Sequence, residues 1–114
     1  MKEFTCVMKA LSDPNRVKIV KMLQHKEFCV CEMRALLGIA QPTVSKHLKV
    51  LEDAGIVLSK KEGLWVNYRL SEGRGSPYVA TLLGTLRHWL EDTDEIKALL
   101  KQIDSVSRED ICSR

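Results

Sequence analysis

Apolar residues recur at helical spacing from the start of the chain. Phe4, Val7, Met8 and Leu11 fall on one face, and Ser12-Asp13-Pro14 then breaks the run and supplies a cap and a first-turn proline for a second helix. That helix carries Val17, Val20 and Leu23 as its apolar positions, with Arg16, Lys18 and Lys21 as the polar complement, and should stop near His25. A third, short helix fits Val30 to Leu37, closed by Gly38, a residue that tolerates the left-handed position after a helix. Gln41-Pro42 opens a fourth, whose stripe of Val44, Leu48 and Leu51 runs on one face until Gly55 ends it. Helix, tight glycine turn, helix is the helix-turn-helix pattern, in which the second helix suits a major groove, although helical hairpins with a glycine turn are also common in all-α proteins. The next segment shifts the balance. Ile56 to Lys61 and Leu64 to Leu70 gather β-branched and aromatic residues around Glu62-Gly63, which predicts a two-stranded hairpin, a wing.

Beyond the loop Glu72-Gly73-Arg74-Gly75-Ser76, Pro77 begins a last long helix in which Val79, Leu82, Leu83, Leu86, Trp89 and Leu90 cover more than one face. Such an excess of apolar surface predicts a partner. The simplest is a second copy, with the first and last long helices forming a two-fold interface that includes Val79 and Leu86. A further helix from Asp94 to Ile103 trails behind. The expected fold is therefore mainly α with a small β-hairpin, a homodimeric winged helix-turn-helix forming one domain over residues 1–114. Within it the helix-turn-helix spans about 30–54, the wing about 56–70, and the dimerisation helices about 3–11 and 77–91.

Composition narrows the classes. At 114 residues and 45% hydrophobic content there is material for one ordinary core. With 29% charged residues, the chain has no apolar run near the roughly 20 residues a spanning helix needs, so no membrane is expected. Met1-Lys2-Glu3 leads into no apolar leader, which makes the cytoplasm the expected compartment, and there four cysteines stay reduced and available as ligands. The net charge of +3 is unevenly placed: of 18 basic and 15 acidic residues, 4 and 7 lie from residue 91 onward, leaving 14 and 8 before it. A basic body suits a polyanion, although scattered lysines are also ordinary solvated surface.

The face of the fourth helix opposite its apolar stripe carries Thr43, Ser45, Lys46 and Lys49, with Gln41 at its start. An amide can pair with adenine, short hydroxyls can approach base edges or phosphate, and lysines neutralise phosphate charge, so double-stranded operator DNA is the expected partner. His47 adjoins the apolar stripe and reads equally as a phosphate donor or as a buried, hydrogen-bonded histidine. Lys60 and Lys61, beside the hairpin turn, are placed to reach the neighbouring backbone, whereas Trp65 and Tyr68 read as core.

Four segments in order resemble the ArsR/SmtB family of metal-sensing repressors: Leu11-Ser12-Asp13-Pro14-Asn15-Arg16, Cys29-Val30-Cys31-Glu32-Met33, Gln41-Pro42-Thr43-Val44-Ser45-Lys46-His47-Leu48 and Gly63-Leu64-Trp65-Val66-Asn67-Tyr68-Arg69-Leu70. The resemblance covers roughly residues 4–90 and implies a winged-helix dimer that represses resistance genes and leaves DNA when it binds its inducer. It also implies that Cys29 and Cys31 are the inducer's ligands, thiolate being the soft donor preferred by As(III) and Sb(III), or by Cd(II) and Pb(II). Residues i and i+2 of a regular helix point about 200° apart, so the two thiols converge only if Cys29 lies in the non-helical entry. Without the resemblance, two small buried hydrophobes would be an equal reading. The enteric-type arsenic sensors add a third cysteine where this chain has Arg34. Cys6 is the preferred third ligand and Cys112 the alternative, while His88 lacks the carboxylate partners of the family's zinc and cobalt site. A thiol redox regulator of the same fold is the rival reading. A thiol oxidoreductase or metal carrier is a further one, but there is no Cys-x-x-Cys in a β-α-β context and no cluster of acid, base and nucleophile, so no enzyme is expected.

Overall fold

A computed structural model describes residues 1–73 and 75–104. The order is α1 (Lys2–Ala10), α2 (Pro14–Leu23), β1 (Phe28–Cys29), α3 (Val30–Leu37), α4 (Gln41–Asp53), β2 (Val57–Glu62), β3 (Trp65–Leu70), α5 (Pro77–Leu86) and α6 (Asp94–Ile103). Helix starts follow their caps. The Asp13 carboxylate accepts the N–H groups of Asn15 at 2.8 Å and Arg16 at 3.3 Å, Ser76 accepts from Val79, and Thr93 accepts from Ile96. Between α3 and α4 the chain turns at Gly38, whose φ of 68° is left-handed and ends α3. One core joins Val7 and Ala10 of α1, Ile19, Val20 and Met22 of α2, Val44, Leu48 and Leu51 of α4, Val79 and Leu83 of α5, and Ile96, Leu99 and Ile103 of α6. Among the described residues no helix is long and apolar enough to cross a membrane.

The expected hairpin is present, with Val57 opposite Leu70 and Glu62 opposite Trp65, so that Gly63-Leu64 forms a two-residue tip. A strand not foreseen in the sequence joins it. Phe28 pairs with Tyr68 and Cys29 with Asn67, giving an antiparallel sheet of order β1-β3-β2. Two residues are too few for alternation to register as a pattern.

Lys21, expected on the polar side of α2, is fully buried. Its ammonium has three donors, and all three are used: on Leu86 O at 2.6 Å, Trp89 O at 3.0 Å and the Glu91 carboxylate at 2.7 Å. This cation sits at the carbonyl end of α5, where the helix dipole favours it, and satisfies a carbonyl that has no intrahelical partner. The last long helix accordingly ends at Leu86 instead of near residue 91, and Leu90 then takes a φ of 67° as the chain turns toward α6. Trp89 and Leu90, read from the sequence as part of that helix, lie outside it and are 53% and 41% exposed. Val79 and Leu86, expected in an interface, are instead core residues at 1% and 5% exposure, so a charge there would disrupt the protomer itself. The exposed apolar side chains that α1 and α5 share are Phe4 and Tyr78, packed edge to face with ring centroids 5.4 Å apart.

Replacing Lys21 with Ala should cost about 3 kcal/mol in urea unfolding, because two carbonyls lose their donor and a buried volume empties. Glu91→Gln, at a carboxylate that reaches solvent, should cost under about 1 kcal/mol. Equal losses in the two variants would contradict the burial of the ammonium.

Candidate nucleic-acid interface and thiol site

Helix α4 buries Val44, Leu48 and Leu51 against the body and leaves Gln41, Thr43, Ser45, Lys46 and Lys49 exposed, the division its periodicity predicts. Lys49 pairs with Asp53 at 3.0 Å one turn on, and that hydrogen bond, with the nearby charge of Asp53, raises the pKa of its ammonium. Lys60 and Lys61 are exposed on β2, opposite Asn67 and Val66 of β3. Backbone pairing therefore carries both lysines on the wing.

His47 departs from the other seven candidates. It is turned toward the body, where its Nδ1 lies 3.2 Å from the Arg16 guanidinium and its Nε2 lies 4.0 Å from the Asp13 carboxylate. The same guanidinium donates to Ala10 O at 2.7 Å and Lys9 O at 3.1 Å, tying the end of α1 to the middle of α4. The ring is half-buried and held against Arg16, which matches the hydrogen-bonded side of its two sequence readings. Burial alone would raise the Asp13 pKa, but the N–H groups of Arg16 and Asn15, reinforced by His47 and the Arg16 charge, outweigh it and hold the carboxyl below the ordinary carboxylate value.

Cys29 ends β1 and is also the N-cap of α3, with φ −92° and ψ 169°, the extended entry that convergence of the two thiols demands. Its N–H donates to the Glu32 carboxylate at 2.8 Å, half of a capping box in which the cysteine sulfur stands where a hydroxyl oxygen is usual. Cys31 follows in the first turn. Both line one cavity of about 190 Å³, whose other walls are Val30, Gln41, Leu64, Trp65 and Val66. This is room for an ion and a small substituent, below the range of about 300–1,000 Å³ typical of drug-sized ligands. The β1–β3 register places the wing tip over the thiols, and the α3–α4 turn places Gln41, the first residue of the exposed α4 face, beside them. Leu64, Trp65 and Val66 were not foreseen as thiol-site walls, because their approach depends on β1.

Cys6 is exposed on α1 and lines a different cleft, with Lys2, Thr5 and Lys9. Among the described residues no three His, Cys, Asp or Glu side chains gather as a metal site. Cys112 lies outside the described residues.

A family model described as "Bacterial regulatory protein, arsR family" matches residues 13–59. The chain is 31% identical over 100 residues to the "Arsenical resistance operon repressor" of Escherichia coli K12, covering 85% of this chain and 81% of that one. Its structure is similar to that of the transcriptional repressor BigR from Xylella fastidiosa, with a TM-score of 0.61 at 36% identity over 75% of this chain and 83% of that one. It is also similar to a homodimeric winged helix-turn-helix DNA-binding domain from Mycobacterium bovis, with a TM-score of 0.65 at 27% identity over 75% and 76% of the two chains.

A carboxylate held below its unfolded value near 4 contributes stability that is present above that pH and is lost as pH falls through the folded value. Asp13→Ala should therefore cost about 1 kcal/mol at pH 7 and progressively less below about pH 4, while Asp13→Asn, which keeps a capping acceptor, should lose little at either pH. A wild-type to alanine difference that grew on acidification would reverse the assignment.

Proposed function

The chain belongs to the bacterial arsR family of regulatory proteins, and from that premise we propose a mechanism in which one cavity joins inducer binding to DNA release. It is a winged helix-turn-helix transcriptional repressor of the ArsR/SmtB type, not an enzyme. Two copies, meeting through the α1 and α5 faces that carry Phe4 and Tyr78, hold double-stranded operator DNA in the cytoplasm. The paired α4 helices enter successive major grooves, and the wings follow the backbone. Gln41, Thr43 and Ser45 read base edges, Lys46, Lys49, Lys60 and Lys61 neutralise phosphates, and His47 sets the seating of α4.

Cys29 and Cys31 take up arsenite, or antimonite, as thiolates, giving up their protons as they do so. The observation that carries this reading is that both thiols, Gln41 and the wing tip line the same cavity. Filling it from the thiol side presses on the two elements that must fit DNA together, and a coupling of about 1–3 kcal/mol is enough to shift occupancy by one to two orders of magnitude. Since Cys6 opens on another cleft in its own chain, as a third ligand it would come from the second copy; Cys112 is the alternative.

Operator binding should report the lysines and His47 differently. Lys46→Ala and Lys49→Ala should each lower the salt slope of log K by about one counterion, and Gln41→Ala or Thr43→Ala should change sequence preference. His47→Gln should leave the salt slope unchanged. A full slope in the double-lysine variant would take α4 out of the groove.

Cys29→Ser and Cys31→Ser should still bind the operator, the first because serine is a good helix N-cap, yet neither should release it when titrated with arsenite, antimonite, Cd(II) or Pb(II) under strictly reducing conditions. Release that needs an oxidant instead of an ion would transfer the function to thiol oxidation. Normal release from both variants would remove the thiols from the mechanism.

A further inference from the structure

The cavity beside Cys29 and Cys31 has walls as informative as its thiols. Val30 comes from α3, and Leu64, Trp65 and Val66 come from the wing, with Gln41 the polar exception. Leu64 is 94% exposed and Val66 is exposed as well, so both have apolar surface to bury if a carbon group settles between wing and thiols. Trivalent arsenic forms three bonds. Two thiolates supply two of them, and a third substituent on this side meets hydrocarbon and an indole. An apolar cavity of about 150 Å³ is already large enough to admit benzene.

Resting on the reading of these thiols as the inducer's ligands, we propose that the site is shaped for trivalent arsenicals that carry one carbon substituent, with arsenic on Cys29 and Cys31 and the substituent against Val30, Leu64, Trp65 and Val66. For an arsonous acid, R–As(OH)₂, two As–S bonds form and two As–O bonds break. The two hydroxyls leave as water with the two thiol protons. Arsenic stays trivalent, so no oxidant or reductant takes part. Arsenite held by these two thiolates alone keeps a hydroxyl in the third position, where an apolar wall offers it little in exchange for water.

The test uses the full-length reduced protein carrying Trp89→Phe, which leaves Trp65 as the one remaining tryptophan of two, with a phosphine reductant so that no added thiol competes. Phenylarsonous acid, methylarsonous acid and arsenite are titrated against Trp65 fluorescence, and adducts are weighed by intact mass. The expected result is one arsenical per chain, retained in the Cys6→Ser/Cys112→Ser variant. The preference for the phenyl compound over arsenite should exceed that of free dithiothreitol by about tenfold, the scale of burying part of a leucine. Leu64→Ser and Val66→Ser should abolish this excess and leave arsenite affinity unchanged. A preference no greater than dithiothreitol's, or one unaffected by both wall variants, overturns the proposal. If every arsenical requires Cys6 or Cys112, the site is a three-sulfur one, and the proposal fails while the thiols keep their role. If none binds at Cys29 and Cys31, both readings fail together.

Discussion

The pairing of Phe28 and Cys29 with Tyr68 and Asn67 holds the wing to the helical body. Phe28 is wholly buried, so this short strand is anchored in the core at one end and delivers Cys29 into the start of α3 at the other. Because a strand's register fixes which residues face each other, the same backbone hydrogen bonds that seat β3 also bring Leu64, Trp65 and Val66 over the thiols. A wing attached only to β2 would still be a hairpin, but it would have no fixed relation to Cys29.

Two buried or half-buried cations organise the helices around that sheet. Arg16 gathers the last carbonyls of α1 and the ring of His47, so the end of α1 is tied to α4. Lys21 closes α5 from beneath and directs the chain toward α6. Each is satisfied by hydrogen bonds to carbonyls, the arrangement that makes burying a charge tolerable. Arg16 thus joins the end of α1 to α4, and Lys21 holds the end of α5. The thiol cavity touches the same helix at its first residue, Gln41.

The sequence by itself determined most of the scaffold, because local patterns have local causes. The Asp13-Pro14 cap, the Val44, Leu48 and Leu51 stripe and the turn at Gly63 each follow from backbone preferences or from a face needing burial, and α6 came out at Asp94–Ile103 as expected. Motif resemblance also marked Cys29 and Cys31, and the i, i+2 argument required the extended entry that Cys29 adopts. What only the tertiary structure decided were matters of long-range contact. Lys21 reads as solvated until Leu86, Trp89 and Glu91 arrive from residues 65 to 70 positions away, and the same contact cuts short a helix whose apolar pattern runs on to Leu90. His47 could face phosphate or protein until Arg16 took its ring. Whether Val79 and Leu86 serve an interface or a core depends on how α5 packs into the rest of the core, and the cavity's walls depend on a two-residue strand finding its partner across 38 to 40 positions of chain. Side-chain periodicity reports that a face is buried; only the packed chain reports what buries it.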